Sequence, residues 1–160
     1  MPAYKDLHKE VASFFSSRFG VVREALEELS FVERGGGEIW ATSAPTPTGI
    51  ASSRPAGVRI LRRMPRGLKP TTVFLCLLGD RITTARMEVE DVAVLRPLLL
   101  GQPIAYTIDD GYVAISYCDD VLGCGVAKDG RVRALIPTQK RRELLGCLES
   151  EYSSDKSGSV

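Results

Sequence analysis

The sequence predicts an α+β chain in two parts. A small N-terminal α/β domain is expected over residues 1–66, and a small mixed β-barrel with one short helix over 67–149; residues 150–160 form a polar, disordered tail. Three observations predict it. Apolar residues recur at helical spacing near the N-terminus, short alternating runs separated by turn residues dominate after Met64, and MPRGLKPT (64–71) places two prolines and a glycine between these regimes. At 160 residues, 44% apolar and 26% charged, the composition is that of a globular chain.

The elements follow in order. Tyr4, Leu7, Val11, Phe14 and Phe15 share one helical face, with Pro2 suited to the start and Gly20 to the stop. Val22, Ala25, Leu26 and Leu29 predict a second helical stretch. FVERGGGEIWATS (31–43) reads as two strands around a 35–37 glycine loop, with Trp40 packed into a core rather than stacked on a ligand. APTPTGIASSRP (44–55) reads as a mobile loop. Residues 57–62 alternate, with Val58 and Ile60 inward and Arg59 outward, as a half-buried strand does.

In the second part, 72–78 reads as a buried strand, 79–80 as a turn and 82–89 as an extended run. Residues 91–100 read as a short helix bent or ended near Pro97. Strands are expected at 104–106 and 112–117 with a turn at 109–111, and a hairpin at 121–127 and 131–136 around Lys128, Asp129 and Gly130. Its last strand turns Val132, Ala134 and Ile136 one way and Arg131 and Arg133 the other. Residues 143–148 close the part as a helical turn. Gly123 and Gly125 share a strand face, which reads as a bulge or barrel bend, with close approach of a ligand as the other reading.

Catalytic signatures are missing. G-x-S-x-G, H-E-x-x-H and G-x-G-x-x-G do not occur, and the triple glycine lacks the lysine and Ser/Thr of a phosphate loop. Asp109–Asp110 and Asp119–Asp120 fall at turns, where carboxylates cap and solvate. His8, the single histidine, lies among lysine and glutamate. Cys76, Cys118, Cys124 and Cys147 include no C-x-x-C pair, so neither a metal site nor a cofactor is expected. They read as reduced thiols, with a Cys118–Cys124 disulfide left open, because the absence of asparagine and the excess of arginine over lysine suggest a thermophile or a GC-rich genome. The start, MPAYKDLHKE, lacks a signal-peptide pattern and no apolar run is long enough to span a membrane, so a cytoplasmic protein is expected.

Charge is segregated although the net is only +1. Residues 39–79 hold no acid but carry Arg54, Arg59, Arg62, Arg63, Arg66 and Lys69. Residues 121–142 carry Lys128, Arg131, Arg133, Lys140, Arg141 and Arg142 against Asp129 alone. Either the segments meet as one positive face, or they pair with acidic helices as ordinary surface ion pairs.

The order of motifs resembles a known family. GLKPTTVFLCLLGDRI (67–82), DDGYVAISY (109–117) and VLGCGVAKDGRVRALIPTQKRREL (121–144) are similar to a PUA-like RNA-binding domain. The resemblance is to the C-terminal region of Nop/Sun-type RNA cytosine-5 methyltransferases and related archaeal stand-alone proteins. FVERGGGEIWATS and RPAGVRILRR (54–63) resemble the small α/β domain that precedes the PUA unit there. The chain departs from the methyltransferases: it has no Thr-Cys or Pro-Cys dipeptide and no room for a cofactor-binding Rossmann domain. The resemblance thus implies the RNA-binding part without the catalyst.

The expected function is an RNA-binding accessory protein without catalytic activity, acting on structured rRNA or tRNA in ribosome biogenesis or RNA modification, and not on DNA or membranes. The expected contacts are Arg59, Arg62, Arg63, Arg66, Lys69, Lys128, Arg131, Arg133, Lys140, Arg141 and Arg142. The alternative is a protein-interaction adaptor whose N-terminal helices dock an RNA methyltransferase or a ribosomal protein.

Overall fold

The computed structural model describes residues 2–42 and 57–157. The expected 44–55 loop, with Arg54, and the last three residues of the expected tail lie outside the described residues. The fold is α+β, with four α-helices and two sheets.

Helix α1 (Pro2–Phe19) buries Val11, Phe15 and Phe19, spaced by four, against the first sheet. It stops at Gly20, whose φ of +64° reverses the chain. The expected second helix is only a short 3-10 turn, Arg23–Leu26, which buries Leu26. Strands β1 (Ser30–Arg34), β2 (Glu38–Thr42), β3 (Val58–Met64) and β4 (Gly67–Pro70) form an antiparallel sheet in that order. Phe31, Ile39, Ala41 and Leu61 face α1. Each large apolar side chain buried here stabilises by about 1.5–3 kcal/mol.

The β3–β4 hairpin corrects the expected boundary at 66/67. Pro65 and Arg66 turn a hairpin instead of ending a domain, so β4 completes the first sheet. Residues expected as a buried strand form helix α2 (Thr72–Leu78). Thr71 caps it, accepting from the Phe74 N–H at 3.2 Å while its own hydroxyl donates to the Arg59 carbonyl at 2.7 Å. Phe74, Leu75 and Leu78 are buried, whereas Val73 and Leu77 are 55% and 63% exposed, a helical rather than alternating pattern.

A 3-10 turn, Gly79–Arg81, leads to β5 (Arg86–Val89). Helix α3 (Val92–Leu99) is capped by Asp91 and contains Pro97. Strands β6 (Ile104–Ala105), β7 (Gly111–Tyr117), β8 (Asp120–Lys128) and β9 (Arg131–Ala134) join β5 in a curled sheet of order β5-β7-β8-β9-β6, with β5 parallel to β7. The expected β8–β9 hairpin is present; Asp129 and Gly130 turn it at φ of +52° and +78°. Helix α4 (Thr138–Ser157) is far longer than the helical turn expected at 143–148. It also runs through most of the expected tail, because Leu148 packs into the core beside α3 and carries the helix onward.

The second half has a cluster of its own around Met87, Leu98 and Ile115, but the halves are joined through the first cluster. Ala114 and Cys124 of the second sheet pack in the same cluster as α1, the first sheet and α2. Polar contacts lock them: Arg18 donates to the carbonyls of Tyr112 (2.6 Å) and Asp109 (2.8 Å), and the Thr83 and Thr84 amides both donate to the Phe19 carbonyl. Among the described residues no helix is long and apolar enough to cross a membrane.

Candidate functional site

The seam between the sheets opens into a cleft of about 470 Å³. Its basic lining is Arg59 and Arg62 from β3, Lys69 from β4 and Lys140 from the start of α4. Its apolar lining comes from Val73, Leu77, Leu135 and Pro137, and none of the described lining residues is acidic. The two basic segments therefore meet here, 71 residues apart between Lys69 and Lys140 in sequence.

Local geometry explains the convergence. In the β3–β4 ladder Arg62 stands opposite Lys69, and side chains of directly opposed residues share a face. Gly123 on β8 lets the seam close: a Cβ there would sit 2.6 Å from Ile136 Cγ1 and 2.8 Å from Thr72 Cγ2. Of the two expected readings the bulge is the one seen, since the β7–β8 register shifts between Ile115 and Ser116, opposite Gly123; the glycine also lets α2 pack closely, and the Thr72 hydroxyl accepts from the Cys124 N–H at 3.1 Å. The first turn of α4 holds no acid and carries Lys140, a placement that opposes the helix dipole by about 0.3–1 kcal/mol.

Arg59 is partly engaged, its Nη1 donating to Glu38 Oε1 at 2.8 Å. That hydrogen bond holds the Glu38 carboxyl below the usual range. The Arg62 side chain makes no hydrogen bond or close ion pair among the described residues, although its charge adds to the pull on Glu38 opposite it, and both it and Lys140 are exposed. Two cysteines also line the cleft. Burial pushes the Cys124 thiol up to about 12, against the pull of Lys69, and pushes Cys76 up against Lys140. Both are thus thiols, not thiolates, at neutral pH and offer no activated nucleophile. All four cysteines are free, so the Cys118–Cys124 pairing left open above is not formed.

The other expected contacts divide. Arg131, Arg133 and Leu135 alternate along one side of β9 and its continuation, where the Leu135 N–H donates to the Cys124 carbonyl. Leu135 lines the cleft, which puts Arg133 about 7 Å and Arg131 about 13 Å along the strand from it. Lys128 pairs in register with Arg131 at the hairpin end. Arg66 is exposed at the β3–β4 turn, and Arg142 is exposed on α4.

Two residues are otherwise occupied. Arg63 turns to the opposite face from Arg62 and grips Glu10 through Nη1 (3.0 Å) and Nη2 (2.6 Å), and Glu33 through Nε. These hydrogen bonds hold the Glu10 carboxyl below its usual range and raise the guanidinium's pKa further. Arg141 latches α4, donating to the carbonyls of Ile136 (3.0 Å) and Leu99 (3.2 Å).

Trp40 departs from expectation. Ile39 and Ala41 take the core side of β2, so Trp40 falls on the other side and is only half-buried. The period-two pattern of EIWAT carries that signal. Among the described residues no group of three His, Cys, Asp or Glu gathers to hold a metal ion.

Residues 4–53 are similar to a family of unknown function (DUF7122). No curated protein matches the chain.

Proposed function

We propose that the chain is an RNA-binding accessory protein that holds structured rRNA or tRNA by its phosphates, in the cytoplasm and without catalysis of its own. One observation carries this reading: Arg59, Arg62, Lys69 and Lys140, from two separate basic segments, line one cleft with no acid among its described lining residues. Guanidinium forks and ammonium groups so placed suit phosphate oxygens. The PUA resemblance supports it independently. Lys69, Pro70 and Thr71 of the first motif, and Cys124, Leu135 and Pro137 of the third, all line that cleft. In this reading the second sheet with its covering helices is a PUA-like barrel. It clasps RNA by shape and backbone and needs no base-reading code.

The test is binding to a tRNA pool or an rRNA stem-loop across a salt series. Four phosphate contacts predict that log affinity falls with log salt at a slope of about −3 to −4. Absence of binding at low salt would overturn the reading.

The exposed Val73 and Leu77 beside the cations favour one second reading, an adaptor that docks a protein partner there. Partner capture that survives nuclease, with no RNA affinity, is its signature.

A further inference from the structure

The cations of the cleft continue onto the outer face of the first sheet, which also carries the chain's single tryptophan. The ladders determine which side chains share that face. Trp40 stands opposite Val32 on one side and Arg59 on the other; Glu38 stands opposite Arg34 and Arg62; Arg62 stands opposite Lys69. The row therefore runs from Trp40 through Arg59 and Arg62 to Lys69, on the face turned away from α1. Two strand spacings across and two residues along, roughly 12 Å, separate Trp40 from Lys69 at the cleft.

A large aromatic has a core to enter here, since Ile39 and Ala41 on the same strand are buried against α1. Trp40 stays outside it, half-buried, with its Nε1 closed to solvent. What the residue leaves open is thus not its polar edge. An indole surface beside guanidinium groups is the arrangement that receives an unpaired base, because every base has a π-face and its phosphate falls within reach of the neighbouring cations. A purely phosphate-gripping surface has no use for it. Charge selects the occupant: of the side chains that share the row, Arg34, Arg59, Arg62 and Lys69 are cations and Glu38 is the single acid, itself held by Arg59.

We propose that Trp40 is a stacking platform for one unpaired RNA base, whose flanking phosphates lie on Arg59, Arg62 and Lys69. The site then takes a single-stranded segment that runs from the structured RNA held in the cleft. This proposal rests on the RNA-binding reading above and adds a preference that phosphate contacts alone do not produce.

The experiment uses two RNA hairpins of equal phosphate number, one blunt and one with a three-nucleotide single-stranded extension. Affinity is read from a label on the RNA, and stacking from the emission of the single tryptophan. The extended hairpin is expected to bind about tenfold tighter and to quench Trp40 emission, since one stacked base is worth a factor of roughly five to 150. Trp40→Ala is expected to remove the tenfold preference and Trp40→Phe to keep most of it. The wild-type emission needs no variant, so the test stands even where Trp40→Ala fails to fold. Equal binding of the two hairpins with unchanged emission overturns the platform and leaves the RNA reading intact. A preference without quenching also overturns it, by placing the base elsewhere. Binding of neither hairpin overturns both.

Discussion

The two faces of the first sheet use the same side chain to opposite ends. Arg62 and Arg63 are consecutive on β3, so the pleat sends them to opposite sides. Arg62 joins Arg59 and Lys69 on the outer face and reaches the cleft without an ion-pair partner among the described residues. Arg63, on the α1 side, is held by Glu10 and Glu33 and binds the helix to the sheet. Density of positive charge in the sequence is therefore not a measure of a binding surface. What counts is whether a carboxylate is already within hydrogen-bond reach.

Charge reversal on the outer face carries the largest expected effect. The double variant Arg62→Glu, Lys140→Glu is expected to weaken RNA binding by about a hundredfold and flatten the salt slope, as loss of two phosphate contacts requires. Both side chains are exposed, so the melting temperature should stay within a few degrees. A drop in affinity below tenfold would remove the cleft from the site.

Arg63→Ala probes the other face. RNA affinity is expected to stay within twofold, while urea unfolding should show a loss of about 1 kcal/mol, kept small because all three side chains are about 40% exposed. A tenfold loss of affinity would return Arg63 to the binding surface.

Glu38→Gln sharpens the outer face. It frees Arg59 and removes the single acid in its row, so affinity is expected to rise about threefold by titration at constant salt. An unchanged or lower affinity would show that Glu38 positions Arg59 productively.

The smallest effect is in pH. Arg63 holds the folded Glu10 carboxyl below its ordinary value of about 4.3. A carboxyl depressed in the folded state stabilises above the unfolded pKa, and that stability is lost as pH falls through the folded one. The stability gap between wild type and Arg63→Ala should accordingly be constant near neutrality and close below about pH 4. A gap that persists at pH 2.5 would assign it to packing of the Arg63 stem.

Legibility in the sequence followed the range of the interaction. The β8–β9 hairpin was readable because Asp129–Gly130 favours the turn locally, and Arg131 and Arg133 alternate with Val132 and Ala134. Helix α3 was readable from Asp91 and its apolar spacing. Helix α2 was not. After Thr72, TVFLCLL has no charged or hydrogen-bonding residue to reveal a period, and the deciding feature is the Thr71 cap acting together with β8 packed beneath. The hairpin at Pro65–Arg66 read as a boundary because proline and glycine punctuate turns and linkers alike. Trp40 was assigned to the core by residue type, whereas its neighbours Ile39 and Ala41 had already claimed the inner face.

The α+β class, the β1–β2 and β8–β9 hairpins, the outward arginines of β9 and the two acid-poor segments were legible from short windows, because turn chemistry, side-chain alternation and composition act within a few residues. Long-range packing settled that Lys69 and Lys140 meet, that Arg63 and Arg141 are taken up by internal partners, and that Trp40 stands on the outer face beside Arg59. Those outcomes depend on strand register and on the packing of α2 and α4 at the seam between the sheets. Neither is encoded in any short window, since each is settled by contacts between residues tens of positions apart.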